Sequence, residues 1–254
     1  MQINFGAREV TIKLVYYGPA LSGKTTNLKA LHQMSTDASR GRLMTLETRD
    51  DRTLFFDMLP LVFRAEEPQS HKDGRVSPAS GMSLRVKIFT VPGQVLHSAT
   101  RRLVLQGADG VAFIADSQLS ETQHNAASFL DLRQNLTELG IKTKELPIVI
   151  QFNKRDLPNV RPEADILALA SRGREPVFTA SAVSGMGVLE SFFGLFHLTW
   201  TKLDAEHNLG RMIGITSDGL LPMIAKQLGL QVDIPSLLAA CVGGSLDRHS
   251  KGAK

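Results

Sequence analysis

The segment that most constrains the fold of this chain lies at residues 18–25 and fits the phosphate-binding pattern G-x-x-x-x-G-K-[ST]. An apolar, β-branched run at 11–17 precedes it, and a helical pattern at 26–34 follows it. Strand, glycine loop and helix are the context in which this pattern forms a P-loop, so a chance glycine turn is the weaker alternative.

The residue types in this loop suit a phosphate chain. Gly18 and Gly23 allow backbone angles that let successive N–H groups point into one concave nest, and the following helix adds its unpaired N–H groups. Lys24 then supplies a positive charge to the β- and γ-phosphates, and the Thr25 hydroxyl can ligate Mg²⁺. The predicted phosphate-binding residues are Gly18, Ala20, Leu21, Ser22, Gly23, Lys24, Thr25 and Thr26.

Composition limits the class of protein. Of the 254 residues 43% are hydrophobic, which is enough for a full core. No apolar run reaches the roughly 18 residues of a membrane span, and the first residues do not resemble a signal peptide. The single cysteine, Cys241, cannot form an internal disulfide and favours a reducing compartment. With a net charge of +4 and no basic run, we expect a cytoplasmic protein with no nucleic-acid partner and no stable membrane anchor.

Apolar patterns alternate between the strand and helix periods along most of the chain. We predict strands at 11–17, 83–91, 110–115, 147–152 and 176–179, and helices at 26–34, 97–106, 121–139, 162–171 and 187–203. Residues 1–10 are predicted to form a hairpin with the first of these strands. The alternation predicts an α/β fold of the P-loop NTPase type, three-layer α/β/α, with a mostly parallel sheet.

Two regions depart from this alternation. Residues 64–83 are polar and loop-forming, so we predict a mobile insertion in a domain at 1–203; an ordinary solvated loop is the simplest interpretation. Residues 204–254 are predicted to form a C-terminal extension that is helical at first and ends in a disordered tail. Two short helices, each with a proline near its first turn, are predicted at 220–225 and 234–239. Their apolar stretches favour packing on their own domain over contact with a membrane.

A second motif, Asn153-Lys154-Arg155-Asp156, follows the predicted strand at 147–152. Ligands bind at the carboxyl ends of strands in such sheets. The Asp156 carboxylate can accept both N1–H and the 2-amino group of guanine, and adenine lacks both donors. Asn153 can join this loop to the P-loop, and the Lys154 stem can lie over the base. A polar turn before the next helix is the alternative.

Three further positions lie at predicted strand ends. Ser181-Ala182 suits a third loop on the base, where the Ala182 N–H can donate to guanine O6. Gly93 and Gln94 follow the strand at 83–91, where a glycine N–H can bond the γ-phosphate and a glutamine can orient the attacking water. A plain strand-ending turn is the alternative there. Asp116 directly follows the strand at 110–115, from where it could approach the nucleotide site, and a loop cap is the more common role of an aspartate there.

These motifs, in this order, resemble those of the Ras-like small GTPases. The residues within and beside the motifs are most similar to those of the MglA-type family of bacterial gliding-motility and polarity GTPases. The resemblance covers residues 1–203. The stretches that carry it are Tyr16–Pro19, Gly23–Asn27, Asp51–Asp57, Thr90–Val95, Ala115–Gln118 and Asn153–Asn159.

The resemblance implies a GTPase that switches between GTP and GDP with Mg²⁺ and regulates cell polarity or gliding motility. It also implies recruitment to a cell pole, an MglB-like roadblock GTPase-activating protein that binds the switch segments, and downstream polarity or motility effectors. By the same resemblance, Arg52 stabilises charge developing on the phosphate, and Thr53 senses Mg²⁺ and the γ-phosphate. Together with Gln94 and Lys24, Arg52 completes the implied catalytic set.

The sequence departs from the usual pattern at two positions of the motifs. Thr90 stands where most Ras-like proteins have an aspartate, a feature that MglA-type proteins share. Ala20 stands where their loops usually have glycine, and its methyl group would lie near the γ-phosphate. A misplacement of about 1 Å can slow a reaction roughly 100-fold, so we expect slow hydrolysis with GTP binding retained. The insertion and the extension match nothing in the family.

A P-loop in this context is compatible with three functions. The first is a GTP-hydrolysing switch, and the second is a GTP-bound scaffold with little or no hydrolysis, which Ala20 favours. The third, an ATP-using P-loop kinase or transporter subunit, conflicts with the guanine-type motif at 153–156.

Overall fold

The structure is a computed structural model of the chain, and it describes residues 1–46, 56–64, 82–92, 98–242 and Leu246. Within these ranges the chain forms one eight-stranded sheet with helices on both faces. The strands are β1 (Gln2–Asn4), β2 (Glu9–Tyr17), β3 (Met44–Leu46), β4 (Phe56–Arg64), β5 (Ser83–Thr90), β6 (Gly110–Asp116), β7 (Ile148–Asn153) and β8 (Val177–Thr179).

The sheet is mostly parallel, in the order β3-β4-β5-β2-β6-β7-β8, with β1 paired to the start of β2. Strands β5, β2, β6, β7 and β8 run parallel to one another, whereas β1 pairs antiparallel with β2, β4 with β5, and β3 with β4. The predicted hairpin at residues 1–10 is confirmed by the pairing of Ile3 with Val10. Each β-to-β crossover of the parallel part carries a helix, which is the usual way to join parallel strands.

The burial of strands β5 and β6 agrees with their hydrophobic patterns in the sequence. All seven residues of β6 are buried, as expected for a strand covered on both faces, and β5 alternates between buried and half-buried residues. Strand β4 is not among the strands that the sequence predicts. It carries Pro60, which cannot donate to a ladder, but the Pro60 carbonyl instead accepts from the Gly41 N–H over 2.8 Å.

Eight α-helices lie within the described ranges. They are α1 (Lys24–Met34), α2 (Ser98–Leu105), α3 (Thr122–Glu138), α4 (Glu163–Arg172), α5 (Val188–His207), α6 (Leu209–Ile213), α7 (Ser217–Gln227) and α8 (Ile234–Ala239). Helices α1, α5, α6, α7 and α8 bury apolar side chains against one face of the sheet, and α2, α3 and α4 against the other. The predicted three-layer α/β/α fold is therefore confirmed.

The C-terminal helices share the main core. Leu209, Ile213, Leu220 and Ile224 are fully buried in the same apolar cluster as the side chains of α1 and α5. The prediction that these apolar stretches pack on their own domain is therefore confirmed. The predicted boundary at residue 203 falls within α5, and the division into a domain and an extension stays a prediction. No helix in the described ranges has the length and apolar character needed to cross a membrane.

The two prolines of these helices behave differently. Pro235 lies in the first turn of α8, where backbone N–H groups have no acceptor within the helix, so the lack of an N–H in proline costs no hydrogen bond. Pro222 lies inside α7 instead of near its start, so that prediction is wrong. Helix α7 begins earlier than predicted because the Thr216 hydroxyl caps it, accepting from the Gly219 N–H over 3.2 Å.

Candidate functional site

The candidate site is built at the carboxyl ends of the parallel strands. The P-loop follows β2, Asp116 ends β6, Asn153 ends β7, and Ser181 comes shortly after β8. Because these strands are neighbours in one sheet, their ends bring residues that are far apart in sequence to a single edge.

The backbone of the P-loop requires its two glycines. Gly18 and Gly23 have φ angles of 148° and 96°. A Cβ atom would lie 2.2 Å from the Ile114 carbonyl oxygen at Gly18 and 2.2 Å from the Asn153 amide nitrogen at Gly23. A side chain at either position would push apart the strand ends that form the site. Between them, Leu21 has a φ of 62° and points its side chain into solvent, 87% exposed.

Lys24 is buried at the start of α1 and its ammonium group faces the loop. Its Nζ donates to the Gly18 carbonyl over 2.9 Å and to the Pro19 carbonyl over 2.6 Å. Burial, reinforced by the charge of Arg101 and opposed by Asp57, lowers the pKa of Lys24 to about 7. Its direct hydrogen bonds are to carbonyl groups, which compensate a buried ammonium only in part, and an anion bound in the loop would supply further negative charge.

Other atoms of the loop also fit a phosphate chain. The Ser22 hydroxyl is fully buried and has no hydrogen-bond partner among the described residues. The first turn of α1 begins directly after Gly23, so its free N–H groups face the same loop. Ala20 and Thr25 are exposed at this surface and Thr26 is half-buried on α1. These observations fit the predicted phosphate-binding role of residues 18–26, which stays a prediction.

Asp57 is a site residue that sequence reasoning did not single out. Its carboxylate accepts from the hydroxyl of Thr25 over 2.6 Å, from that of Thr45 over 2.8 Å and from that of Thr90 over 3.2 Å. Asp57 is 7% exposed, and its own N–H donates to the Thr90 hydroxyl over 2.9 Å. Strand β4 thus brings a carboxylate beside Thr90, where most Ras-like proteins carry the aspartate on the neighbouring strand. The available signal was a lone charge within the apolar run 54–59.

Asn153 joins the phosphate loop to the loops predicted for the base. Its side-chain amide donates to the Ser22 carbonyl over 2.8 Å, and its amide oxygen accepts from the Ala182 N–H over 2.9 Å. The structure therefore places the P-loop, the 153–156 motif and the 181–182 loop in contact. The Ala182 N–H is used by Asn153 here, and its predicted bond to guanine O6 stays a prediction.

The remaining base-loop residues are held in place by short polar contacts. The Lys154 ammonium pairs with the Asp116 carboxylate over 2.6 Å, and the Ser181 hydroxyl donates to the Asp156 carboxylate. Asp116 also accepts from the Gln118 N–H over 3.0 Å, which confirms that it caps a loop. These contacts fix the side chains of Lys154 and Asp156, and their predicted role in binding a base stays a prediction.

A second cluster that sequence reasoning missed lies beneath the P-loop. The Tyr17 hydroxyl, one residue before Gly18, donates to Asp131 of α3 and accepts from the Asn135 amide over 3.1 Å. Arg101 of α2 pairs with the same Asp131 carboxylate over 3.3 Å. Burial raises the pKa of Tyr17 above its ordinary value, so it stays a donor. The cluster links β2, α2 and α3 below the loop.

Four predicted site residues lie outside the described ranges. They are Arg52, Thr53, Gly93 and Gln94. The predicted insertion at 64–83 also falls mostly on residues outside these ranges. Within the described part of the chain, no three His, Cys, Asp or Glu side chains group as metal ligands.

A P-loop between a parallel strand and a helix, tied to an Asn-Lys-x-Asp loop at the same sheet edge, places the chain in the class of Ras-like P-loop GTPases. No protein-family model matches the chain. The chain is 40% identical over 201 residues to the mutual gliding-motility protein MglA of Myxococcus xanthus (strain DK1622). That match covers 79% of this chain and 96% of the relative. The chain therefore belongs to the MglA family of small GTPases, and the resemblance found in the sequence is confirmed.

Proposed function

We propose that this chain binds and hydrolyses GTP and acts as a molecular switch in the regulation of cell polarity or motility. The observation that carries the proposal is the position of Asn153, whose one side chain contacts both the Ser22 carbonyl and the Ala182 N–H. This bridge makes the phosphate loop and the predicted base loops a single site, which is what a nucleoside triphosphate requires.

The choice of base is assigned to Asp156. Its carboxylate, held by the Ser181 hydroxyl, can accept the N1–H and the 2-amino group of guanine. Adenine lacks both donors and would form neither of these hydrogen bonds, so it is disfavoured relative to guanine. The Lys154 stem, held by Asp116, can cover the base.

Mg²⁺ is assigned to the Thr25 hydroxyl, with Thr53 as the predicted second protein ligand. When bound, the metal would neutralise charge on the β- and γ-phosphate oxygens. Asp57 accepts a hydrogen bond from the Thr25 hydroxyl, which leaves the lone pairs of that hydroxyl free to face a metal. The negative charge of Asp57 lies close enough to favour a cation at the same place.

Hydrolysis is assigned to attack of water on the γ-phosphate. Gln94 would orient the water, Arg52 would stabilise charge that develops on the phosphate, and Lys24 with the P-loop amides would hold that charge throughout. Ala20 stands at the exposed tip of the loop, where its methyl group would crowd the groups that converge on the γ-phosphate. We therefore propose a slow intrinsic rate.

The relative named above suggests the setting of the switch. We propose that an MglB-like roadblock protein binds the switch segments and stimulates hydrolysis, and that downstream polarity or motility effectors bind the GTP state. We further propose a cytoplasmic protein that is recruited to a cell pole. A GTP-bound scaffold with little hydrolysis is the second candidate, and Ala20 is the residue that favours it.

The test is nucleotide competition followed by turnover. Fluorescent GDP bound to the purified chain should be displaced by GTP and not by an equal concentration of ATP. Phosphate release is then followed with and without a roadblock protein. Displacement by GTP with stimulated release supports the switch, and displacement without release supports the scaffold. Equal displacement by ATP would contradict both candidates.

A further inference from the structure

The C-terminal helices hold strand β4 through one side chain. The Gln227 amide, at the last residue of α7, donates to the Arg64 carbonyl over 2.5 Å and accepts from the Arg64 N–H over 3.0 Å. Both backbone groups of Arg64 are thus paired by a side chain in the way that a neighbouring strand would pair them. We call this pair of bonds the Gln227 clasp.

The clasp completes the outer edge of β4. On its inner side β4 pairs with β5 along its length, up to Arg64 opposite Ser83. On its outer side β3 pairs with residues 56–58 only, and the segment after α1 contributes two bonds further along. In those bonds the Gly41 N–H donates to the Pro60 carbonyl and the Val62 N–H donates to the Ser39 carbonyl, both over 2.8 Å. Gln227 supplies the next pairing position.

The helix that carries the clasp is itself firmly anchored. The Gln227 backbone carbonyl accepts from the Thr36 hydroxyl over 2.6 Å and from the Ser39 hydroxyl over 2.5 Å. Leu220 and Ile224 of α7 are fully buried in the cluster that also contains the inward side chains of β4. The last turn of α7 therefore binds β4 and the connection after α1 as one unit.

The other end of this region is fixed at the far edge of the sheet. The Val242 N–H, beyond α8, donates to the Val177 carbonyl of β8 over 2.7 Å. The chain from α6 to Val242 thus runs from the β4 side of the sheet to the β8 side and is bonded at both. A region fastened at two distant points resists displacement of either one.

Strand β4 connects the Gln227 clasp with the candidate site. Asp57, which bonds the Thr25 hydroxyl, and Arg64, which is held by Gln227, lie on the same strand. We propose that Gln227 is a positioning residue, which fixes β4 in the place where Asp57 reaches Thr25. Through it the C-terminal helices regulate nucleotide retention at the site, a consequence that rests on the proposed function above.

The first test measures the strand itself and needs no nucleotide. Residue-resolved hydrogen exchange is compared for the full chain and for Gln227→Leu, which keeps the size of the side chain and removes both bonds. We expect exchange of the Arg64 amide to speed up about tenfold, because two ordinary hydrogen bonds are lost. We also expect faster exchange of the Asp57 amide at the other end of β4. A change confined to Arg64 and its neighbours would overturn the positioning role.

The second test measures the site. Release of fluorescent GDP in the presence of Mg²⁺ should be roughly two- to thirtyfold faster in Gln227→Leu, the range of couplings carried through packed elements. The matched control is Gln231→Leu, the same change at an exposed glutamine just after α7. Equal release from both variants would overturn the proposal. Failure of the unaltered chain to bind guanine nucleotide would instead overturn the proposed function, and hydrogen exchange would still decide the role of Gln227.

A further variant guards against simple loss of folding. Gln227→Glu keeps an acceptor for the Arg64 N–H but replaces the donor with a carboxylate oxygen that faces the Arg64 carbonyl. We expect its exchange and GDP release to change in the same direction as those of Gln227→Leu, with an unchanged circular dichroism spectrum. Native values in both measurements would show that the donor half of the clasp is dispensable and would contradict the proposal.

Discussion

The Thr25 hydroxyl donates to the Asp57 carboxylate over 2.6 Å, joining the first turn of α1 to strand β4. Thr25 follows the P-loop lysine, and Asp57 also accepts from Thr90 at the end of β5. One carboxylate therefore connects the phosphate loop with two strands that lead into the predicted switch segments. Removal of the Asp57 charge should therefore weaken Mg²⁺ binding more than it weakens recognition of the base.

Asp57→Asn should weaken the dependence of nucleotide retention on Mg²⁺. The amide can still accept from Thr25 but no longer adds negative charge near the metal. Because a hydrogen bond to a charged group contributes about 1.5–3 kcal/mol, we expect GDP release at limiting Mg²⁺ to accelerate at least about tenfold. The measurement is GDP release as a function of free Mg²⁺.

The matched control is Asp109→Asn, a buried aspartate whose carboxylate pairs with the Met1 ammonium and accepts from the Lys13 N–H over 2.8 Å. It lies beside the beginning of β6, away from the site at the strand ends. An equal loss of the Mg²⁺ dependence in both variants would show that Asp57 matters only for folding.

Binding of nucleotide should take up a proton at mildly alkaline pH. Burial lowers the pKa of Lys24 from its ordinary 10.5 to about 7 in the free chain. Bound phosphates favour the charged form, so the pKa rises on binding and a neutral Lys24 gains a proton. Affinity for GDP should therefore fall as pH rises from about 7 towards 10.

Calorimetry measures this uptake directly. At about pH 8.5 the nucleotide phosphates are fully ionised. The heat of GDP binding is measured in two buffers of unequal ionisation enthalpy, and the difference between the two heats should correspond to uptake of close to one proton per site. Lys29→Ala, an exposed lysine on the same helix, should behave like the unaltered chain. Equal heats in both buffers would show that Lys24 is already charged before the nucleotide binds.

Asp156 should discriminate among purines through the 2-amino group. Inosine triphosphate differs from GTP only by the absence of that group, so it leaves half of the Asp156 carboxylate unpaired. Asp156 is exposed, so water can still reach an unpaired carboxylate oxygen, and the loss is that of one ordinary hydrogen bond, about 0.5–1.5 kcal/mol; this predicts a preference for GTP of roughly 2- to 13-fold. In Asp156→Ala the two nucleotides should compete equally well, and overall affinity should fall. A preference for GTP that survives in the variant would assign base selection to other residues.

Local patterns explain how much of the fold the sequence predicts. The P-loop, the fully buried β6 and the amphipathic α5 are each specified by residues next to one another in the chain, and each was predictable. The five-residue helix α6 is too short to show a helical period of apolar residues. Strand β4 contains Pro60, a residue that argues against a strand in the sequence. For these elements, packing against the rest of the chain overrides local preference.

The same reasoning separates the predictable from the unpredictable parts of the site. A link between Asn153 and the P-loop was expected because both belong to motifs that follow parallel strands of one sheet, and the structure forms it through the Ser22 carbonyl. Asp57 ends a stretch that carries the family resemblance but was given no role of its own, and Gln227 belongs to no motif. Their partners are established only when the sheet places distant segments together. A hydrogen bond between residues 163 positions apart cannot be inferred from the local periodicity of a single sequence.

Ala20 should limit the rate of hydrolysis without limiting binding. The residue is exposed in the P-loop, between Pro19 and Leu21, and the resemblance to MglA-type loops implies that its methyl group lies near the γ-phosphate. Ala20→Gly removes only that group, so GTP affinity should change little while roadblock-stimulated single-turnover hydrolysis should rise, by up to about 100-fold if the reacting groups are now misplaced by 1 Å. Rapid-quench measurement of γ-phosphate release checks this, with Ala7→Gly in the β1–β2 turn as the control for a lost methyl group. An unchanged rate in Ala20→Gly would assign any slow hydrolysis to the positions of Gln94 and Arg52 instead.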